Sequence, residues 1–173
     1  MKIYFLRHGQ AEEKEPGRQD KDRPLTSYGA SVILNMAYLL RKEVKTLDLI
    51  LTSPMLRSVQ SADIVGNLLE CKGKIVQSDS LLIDSSPQEL LDEIKRHRQP
   101  KTVLVVGHEP HLGACVSFLS GKNGDAVRLE KGGLALMEID ELREKGGRLS
   151  SIREPIDSRK EIPKDPSPGK GKT

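Results

Sequence analysis

Residues 102–106 read Thr-Val-Leu-Val-Val, a short apolar run that is almost wholly β-branched. Both alternating faces of this run are apolar, as in strands that are buried on both faces inside a parallel sheet. Helices cover parallel strands of this kind on each side. The segment therefore favours a fold of the α/β class.

The rest of the chain alternates strand-length apolar runs with longer runs of helical period, which is typical of βαβ units. We predict further strands over residues 2–6, 47–51 and 74–77. Glycine pairs precede residues 134–139 and 148–153, which predicts a hairpin of two more strands. Four helices are predicted, beginning at Thr26 or Ser27, near Pro54, at Ser86-Pro87 and at Pro110. The predicted architecture is three-layered, with helices on both faces of a mostly parallel sheet.

The composition disfavours several functional classes. The 173 residues carry 28 Lys and Arg against 25 Asp and Glu, and the aromatic residues are three Tyr and two Phe. These aromatics are too few to stack nucleic-acid bases, so we expect no nucleic-acid partner. No segment approaches the ~18 consecutive apolar residues of a membrane span, and the apolar N-terminus ends at Arg7 without a signal-peptide cleavage site. We therefore expect neither a membrane partner nor export.

Length and cysteine usage indicate one cytoplasmic domain with a tail. Cys71, in a run of helical character, and Cys115, in apolar surroundings, are interpreted as reduced thiols of a cytoplasmic protein. We predict a single domain over residues 1–153. Residues 154–173 are rich in proline and alternating charges and have almost no apolar side chains, so a disordered tail is expected there.

Arginine and histidine side chains follow three of the predicted strands at the point where each strand ends. Arg7 and His8 come after the first strand, Arg57 lies just beyond the second, and His108 follows residues 102–106. Because the carboxyl ends of parallel strands meet at one edge of a sheet, these side chains are expected to converge. Two guanidinium groups and nearby helix N-termini suit a phosphoryl dianion. A histidine in such a phosphate site is available as a neutral nucleophile or as a hydrogen-bond donor.

These residues lie in motifs that resemble the histidine phosphatase superfamily, whose fold is phosphoglycerate mutase-like. The shared motifs are Arg7-His8-Gly9, Leu51-Thr52-Ser53-Pro54 with Arg57, and Val106-Gly107-His108. Within the superfamily, two further motifs resemble the SixA-type phosphohistidine phosphatases. They are Arg23-Pro24-Leu25-Thr26 with Gly29, and Gly107-His108-Glu109-Pro110-His111-Leu112. The resemblance covers about residues 1–153.

The resemblance implies a covalent mechanism that needs no metal or other cofactor. His8 would attack phosphorus, and water would then release phosphate from the phosphohistidine. Arg7, Arg57 and His108 would bind the phosphoryl oxygens and stabilise the charge that develops on them. Gly9 would let the backbone approach the ligand closely.

Two further residues have alternative interpretations. Ser53 could donate a hydrogen bond to phosphate or cap the helix that begins near Pro54. Arg23 could line the rim of the pocket or form a structural salt bridge. The sequence alone leaves both pairs of alternatives open.

Two carboxylates are candidates for the general acid. Sugar-phosphate mutases of the superfamily have a glutamate that acts as the general acid near the start of the third helix region. At that place this chain has Leu82-Ile83-Asp84-Ser85-Ser86-Pro87. The candidates here are Asp84 and Glu109. Asp84 could instead be a turn residue, and Glu109 could be a solvated carboxylate at the start of a helix.

The predicted function is hydrolysis of phosphohistidine on a protein, such as a histidine phosphotransfer domain or a phosphoryl carrier. The predicted strands and helices use most of the chain between His8, Arg57 and His108, so little remains for a lid and the pocket is open to a protein surface. Imidazole, with an ordinary pKa of about 6.5, can also leave without a strong positioned acid. Two alternatives stay open. They are a phosphatase for small phosphoesters or phosphosugars, and a catalytically weak module that binds phosphate or phosphoproteins.

Overall fold

The computed structural model describes residues 1–71, 73–122 and 127–157. Its strands are β1 (Lys2–Arg7), β2 (Thr46–Leu47), β3 (Leu49–Thr52), β4 (Glu70–Cys71), β5 (Ile75–Gln77), β6 (Thr102–Gly107), β7 (Leu134–Ile139) and β8 (Gly147–Arg153). Its helices are α1 (Ser27–Glu43), α2 (Leu56–Leu68), α3 (Pro87–Arg96) and α4 (His111–Ser120). Short 3₁₀ turns lie at Asp20–Asp22 and Asp79–Leu81.

Six strands form the main sheet in the order β5-β3-β6-β1-β7-β8. Strand β6 pairs in parallel with β1 on one side and with β3 on the other. Strand β5 extends the parallel part, whereas β7 and β8 form an antiparallel hairpin at the opposite edge. The predicted strand over residues 102–106, buried on both faces, and the predicted hairpin are both confirmed.

The two faces of the sheet bury separate sets of apolar side chains. On β1, Ile3 and Phe5 belong to the cluster packed with α3 and α4, whereas Tyr4 and Leu6 belong to the cluster packed with α1 and α2. The same alternation runs along β6, as expected for side chains that point to opposite faces of a strand. The predicted α/β fold, with three layers and a mostly parallel sheet, is therefore confirmed.

Local sequence signals account for the ends of several helices. The Thr26 side chain accepts a hydrogen bond from the Gly29 N–H and caps α1. Ser86 and Glu89 form a reciprocal capping box at the start of α3. Helix α4 ends at Gly121, whose φ of 69° is a left-handed conformation that glycine adopts without strain. Helix α2 begins at Leu56, two residues beyond Pro54, and its N-cap residue has no side-chain cap.

Two local predictions are wrong. The single strand predicted over residues 47–51 is divided into β2 and β3, because the Asp48 carboxylate between them accepts hydrogen bonds from the N–H groups of Lys101 and Thr102. Strand β2 then pairs with β4 in a separate two-stranded sheet. Cys71 lies in β4 and not in a helical segment, because this pairing ends the helical run at Leu68.

The predicted end of the domain at residue 153 coincides with the last residue of β8. Pro155, Ile156 and Asp157 continue from β8 and are half-buried. Residues 158–173 of the predicted tail lie outside the described residues. None of the helices in the described ranges combines the length and the apolarity of a membrane span.

Residues 12–24 form a loop between β1 and α1, and we call it the rim loop. Its base is closed by an antiparallel bridge between Ala11 and Leu25. The Leu25 N–H also donates to Gln60 Oε1 on α2 at 2.7 Å. The 3₁₀ turn Asp20–Asp22 lies within this loop. The rim loop is therefore attached to the helix that carries Arg57.

The first turn of α1 lies very close to the segment that follows β1. A Cβ atom at Gly29 would lie 2.1 Å from the carbonyl oxygen of Gln10, and one at Gly9 would lie 2.6 Å from the carbonyl oxygen of Gly29. Both distances are shorter than any van der Waals contact, so this approach requires glycine at both positions.

We expect Gly29→Ala to destabilise the protein by about 2 kcal/mol, because the added methyl group must displace backbone. The matched control is Gly66→Ala in α2, where the nearest atom is the flexible end of Ile75 at 3.0 Å. Its free energy of unfolding should change by less than about 1 kcal/mol, since alanine also favours the helix. Urea denaturation measures the free energy of unfolding of each variant. Equal values for the two variants would contradict the requirement for glycine at position 29.

Candidate active site

The parallel strands bring two histidines and two arginines together at the carboxyl edge of the sheet. Arg7 ends β1, His8 follows it, and His108 follows the end of β6. The ring centroids of His8 and His108 are 4.9 Å apart, and Arg57 Nε on α2 lies 3.4 Å from His8 Nε2. The structure therefore places these four side chains in one cluster.

The protonation of His8 is determined by its surroundings. Its Nδ1 lies 2.7 Å from the carbonyl oxygen of Gly9, which can only accept, so Nδ1 carries the hydrogen. Burial lowers the pKa of His8 to about 4, and the charges of Arg57 and Arg7 act in the same direction. The ring is therefore neutral at physiological pH. Its Nε2 carries no hydrogen, and the lone pair on Nε2 accepts a hydrogen bond from Arg57 Nε.

His108 is neutral for similar reasons. Burial lowers its pKa to about 3, with further lowering by His8 and Arg57. Its Nε2 lies 2.8 Å from Ser53 Oγ and 3.4 Å from Ser58 Oγ. Ser53 Oγ also accepts a long hydrogen bond, 3.4 Å, from the Met55 N–H at the start of α2. Ser53 thus contacts His108; when its hydroxyl donates to Nε2, the hydrogen of His108 is on Nδ1.

Arg57 is only 3% exposed, and Asp20 of the rim loop covers it. Its Nη1 donates to the Asp20 carbonyl oxygen at 2.9 Å, and its Nη2 donates to Asp20 Oδ2 at 3.0 Å. Partial burial acts to raise the pKa of Asp20, but the charges of Arg57 and Arg23 outweigh it and the pKa lies below its usual value. Asp20 is therefore ionised. Sequence reasoning missed it, because nothing in the charged run around it separates it from Asp22.

Arg23 and Gly9 make structural contacts in this arrangement. Arg23 Nη2 lies 2.9 Å from Asp20 Oδ1, and its Nη1 donates to the Glu12 carbonyl oxygen at 3.0 Å. These bonds stabilise the rim loop. The Gly9 N–H donates to Ser61 Oγ on α2 at 3.2 Å. The close approach that requires glycine at position 9 is the one to Gly29.

The two candidate acids differ in their surroundings. Asp84 lies in an exposed turn before α3. Glu109 is partly buried beside His108, where its Oε1 accepts from the Leu129 N–H at 3.0 Å and its Oε2 from the Gly113 N–H at 3.4 Å. Both oxygens of Glu109 are thus engaged by backbone.

Two buried side-chain nitrogens in the described part of the chain have no hydrogen-bond partner. They are Arg7 Nε and His108 Nδ1. Burying such groups unpaired is costly, and both belong to the cluster around His8. A tetrahedral oxyanion has acceptor oxygens on several sides and can bind both donors. Over the same residues, no group of three or more His, Cys, Asp or Glu side chains is arranged to hold a metal ion.

Comparisons with known proteins show the family of this chain. The family model of the histidine phosphatase superfamily (branch 1) matches residues 3–82. The SixA phosphohistidine phosphatase homologue of Haemophilus influenzae is 30% identical over 131 residues, which cover 70% of this chain and 79% of that protein. The chain belongs to the histidine phosphatase superfamily. As a member of this superfamily, of the SixA type, it is a phosphatase.

Solved structures of the superfamily share the fold. The protein histidine phosphatase SixA, complexed with tungstate, has a TM-score of 0.77 at 24% identity, covering 90% of this chain and 97% of that one. The α-ribazole phosphatase of Shigella flexneri has a TM-score of 0.66 at 17% identity, covering 92% of this chain and 97% of that one. The same fold thus occurs in relatives named for different substrates.

The two histidines make the stability of this superfamily member depend on pH. Their pKa values in the folded state, about 4 and about 3, lie below the ~6.5 of an unfolded chain. Below about pH 6.5 the unfolded state therefore binds more protons, and the free energy of unfolding falls as the pH falls towards 4. Above about pH 6.5 the two groups have no such effect. Urea denaturation at a series of pH values gives the free energy of unfolding as a function of pH. This dependence on pH should be weaker for His108→Asn than for the wild type, whereas identical dependences would show that His108 is not buried as a neutral ring.

Proposed function

We propose that this chain removes phosphoryl groups from phosphohistidine on a protein, through a covalent intermediate on His8. The observation that carries the proposal is the state of His8. Its ring is neutral, its Nδ1 hydrogen is fixed by Gly9, and its Nε2 lone pair faces Arg57. A nitrogen held in this way is a nucleophile for phosphorus.

The reaction has two displacements at phosphorus. In the first, His8 Nε2 forms a bond to phosphorus as the bond from phosphorus to the substrate imidazole breaks, and that imidazole takes up a proton from solvent. In the second, water forms a bond to the phosphorus, the bond to Nε2 breaks, and inorganic phosphate leaves with the protons of that water and returns one of them to solvent. His8 then returns to its neutral form.

The surrounding donors would stabilise the charge on the transferred group. Arg7 Nε and His108 Nδ1, which lack partners in the free protein, would donate to phosphoryl oxygens. Arg57 Nε donates to His8 Nε2 in the free protein and would donate instead to a third phosphoryl oxygen when the phosphoryl group binds. Ser53 would act through His108 by holding the tautomer that donates from Nδ1. Fixed donors of this kind contribute a large part of the rate enhancement in phosphoryl transfer.

The leaving group favours phosphohistidine over a phosphoester. Neutral imidazole departs readily, whereas a sugar alkoxide needs a positioned acid. Of the two candidates, Asp84 is in an exposed turn and the Glu109 oxygens already accept backbone hydrogen bonds. The similarity to proteins named as SixA phosphohistidine phosphatases supports the same substrate class. A histidine phosphotransfer domain or a phosphoryl carrier in the cytoplasm fits this proposal, with residues 1–153 as the core of the catalytic domain.

The second candidate is hydrolysis of small phosphoesters. It is favoured by the fold shared with an α-ribazole phosphatase and by the position of Glu109 next to His108. A binding module without turnover is less well supported, because oxyanion binding does not require a neutral histidine with a free, oriented lone pair.

We expect His8→Ala to lower kcat by about 10³-fold or more, since the nucleophile is lost. Wild-type protein quenched during turnover of ³²P-labelled substrate should carry acid-labile, alkali-stable label, and the variant should carry none. His97→Ala is the matched control. His97 ends α3 near the amino end of β6 and contacts Glu93, so its loss should leave turnover unchanged. Substantial activity in His8→Ala would rule out the covalent scheme.

We also expect kcat/KM to be higher for a phosphohistidine-bearing protein domain than for phosphoserine peptides, phosphoglycerate or fructose phosphates. The physical reason is the better leaving group. Release of inorganic phosphate, followed for all substrates at one pH, measures the ratios. A preference for a small phosphosugar would favour the second candidate.

A further inference from the structure

We propose that Glu109 is a positioning residue for Arg7, acting through the peptide groups of Leu129, and that it is not the general acid. This inference rests on the proposed function only in treating Arg7 as a phosphoryl-binding group. It assigns a role to the carboxylate that follows His108 directly in sequence.

Leu129 connects the two side chains. Its carbonyl oxygen accepts from Arg7 Nη1 at 2.8 Å, and its N–H donates to Glu109 Oε1 at 3.0 Å. Leu129 is buried, so both bonds are partly shielded from bulk water. The contact with Leu129 fixes one edge of the guanidinium and leaves Arg7 Nε unpaired in the cluster. Moving Leu129 would therefore move the donor that faces the phosphoryl group.

Glu109 also attaches this segment to α4. Its Oε2 lies 3.4 Å from the Gly113 N–H in the first turn of that helix. A Cβ atom at Gly113 would lie 2.3 Å from the Val127 carbonyl oxygen and 2.9 Å from Glu109 Oε2. Residues 127–129 thus lie directly on the helix backbone, and the carboxylate bridges the two elements.

The bonds of Glu109 argue against a role as a proton donor. A general acid has to present an O–H to the leaving group, but both oxygens of Glu109 face backbone N–H donors. Its negative charge acts on Arg7 instead. Burial lowers the pKa of Arg7, and the charges of Glu109 and Glu130 oppose that effect. Glu109 therefore supports Arg7 both by geometry and by charge.

Glu130 provides a matched control because it separates these two effects. It is an exposed carboxylate next to Leu129 whose charge also acts on Arg7. Glu130→Gln removes a comparable charge and leaves the bond from the Leu129 N–H to Glu109 in place. Its effect on activity should be less than about twofold, as for other exposed charges.

The experiment compares wild type, Glu109→Gln and Glu130→Gln in two measurements. The first is the affinity for tungstate, by isothermal titration calorimetry. The second is kcat/KM for p-nitrophenyl phosphate and phenyl phosphate, whose leaving groups differ in basicity. We expect Glu109→Gln to weaken tungstate binding about tenfold or more and to lower kcat/KM for the two esters by the same factor. A greater loss for phenyl phosphate, with tungstate affinity unchanged, would identify Glu109 as the acid and overturn the proposal.

Coupling to Arg7 separates a positioning role from general loss of structure. In an Arg7→Ala background, Glu109→Gln should cause no further loss of tungstate affinity, because the group that it positions is gone. Additive losses would overturn the proposal. If Glu109→Gln does not fold, Glu109→Asp replaces it, since the shorter side chain keeps the charge but cannot reach both N–H groups. Wild-type protein that binds tungstate but hydrolyses no substrate would contradict the proposed function, and the tungstate affinities would still decide the role of Glu109.

Discussion

The parallel pairing of β6 with β1 and β3 is the constraint on which the site depends. The register places Arg7 opposite Gly107 and Thr52 opposite Val106, so β1 and β6 end at the same level and β3 ends one residue earlier at the same edge. His8, Ser53 and His108 each follow directly. A slip of one residue would displace one of these side chains by about 3.3 Å and turn it to the other face of the sheet. The buried apolar residues on both faces of β1 and β6 prevent such a slip.

Around this edge, burial and the nearby guanidinium groups keep the two histidines neutral. Burial and the neighbouring guanidinium groups disfavour the imidazolium forms of His8 and His108. Each arginine is in turn held along one edge of its guanidinium by an oxygen acceptor. Arg57 binds Asp20, and Arg7 binds the Leu129 carbonyl. The other edges remain directed at the cluster, which therefore exists as a set of oriented donors before any ligand is bound.

The sequence predicts those parts of the structure that depend on local pattern or on strand ends. The run at residues 102–106 indicated a central strand, and the rule that ligands bind at the carboxyl ends of parallel strands brought Arg7, His8 and His108 together. The split at Asp48 could not be predicted, because it depends on a side chain that binds backbone more than fifty residues away.

The same explanation applies to the parts of the site that sequence reasoning missed. Asp20 and Arg57 are 37 positions apart, and Glu109 and Leu129 are 20 apart. These contacts join residues that are far apart in the sequence, so they produce no periodic pattern. Residue type alone also does not distinguish a carboxylate that binds backbone N–H groups from one that donates a proton. Only the distances between atoms separate the two roles.

The bond between Asp20 and Arg57 places an anion of the protein itself beside the site. In the free protein the Asp20 carboxylate accepts from Nη2 of Arg57 and the Asp20 carbonyl oxygen accepts from Nη1, and the rim loop tethers this carboxylate at a high effective concentration. A dissolved anion that needs these positions has to displace the carboxylate. A phosphoryl group on a docked protein competes better, since the rest of its carrier adds binding energy. In the proposed reaction, free phosphate would lose that advantage, and the returning carboxylate would favour its release.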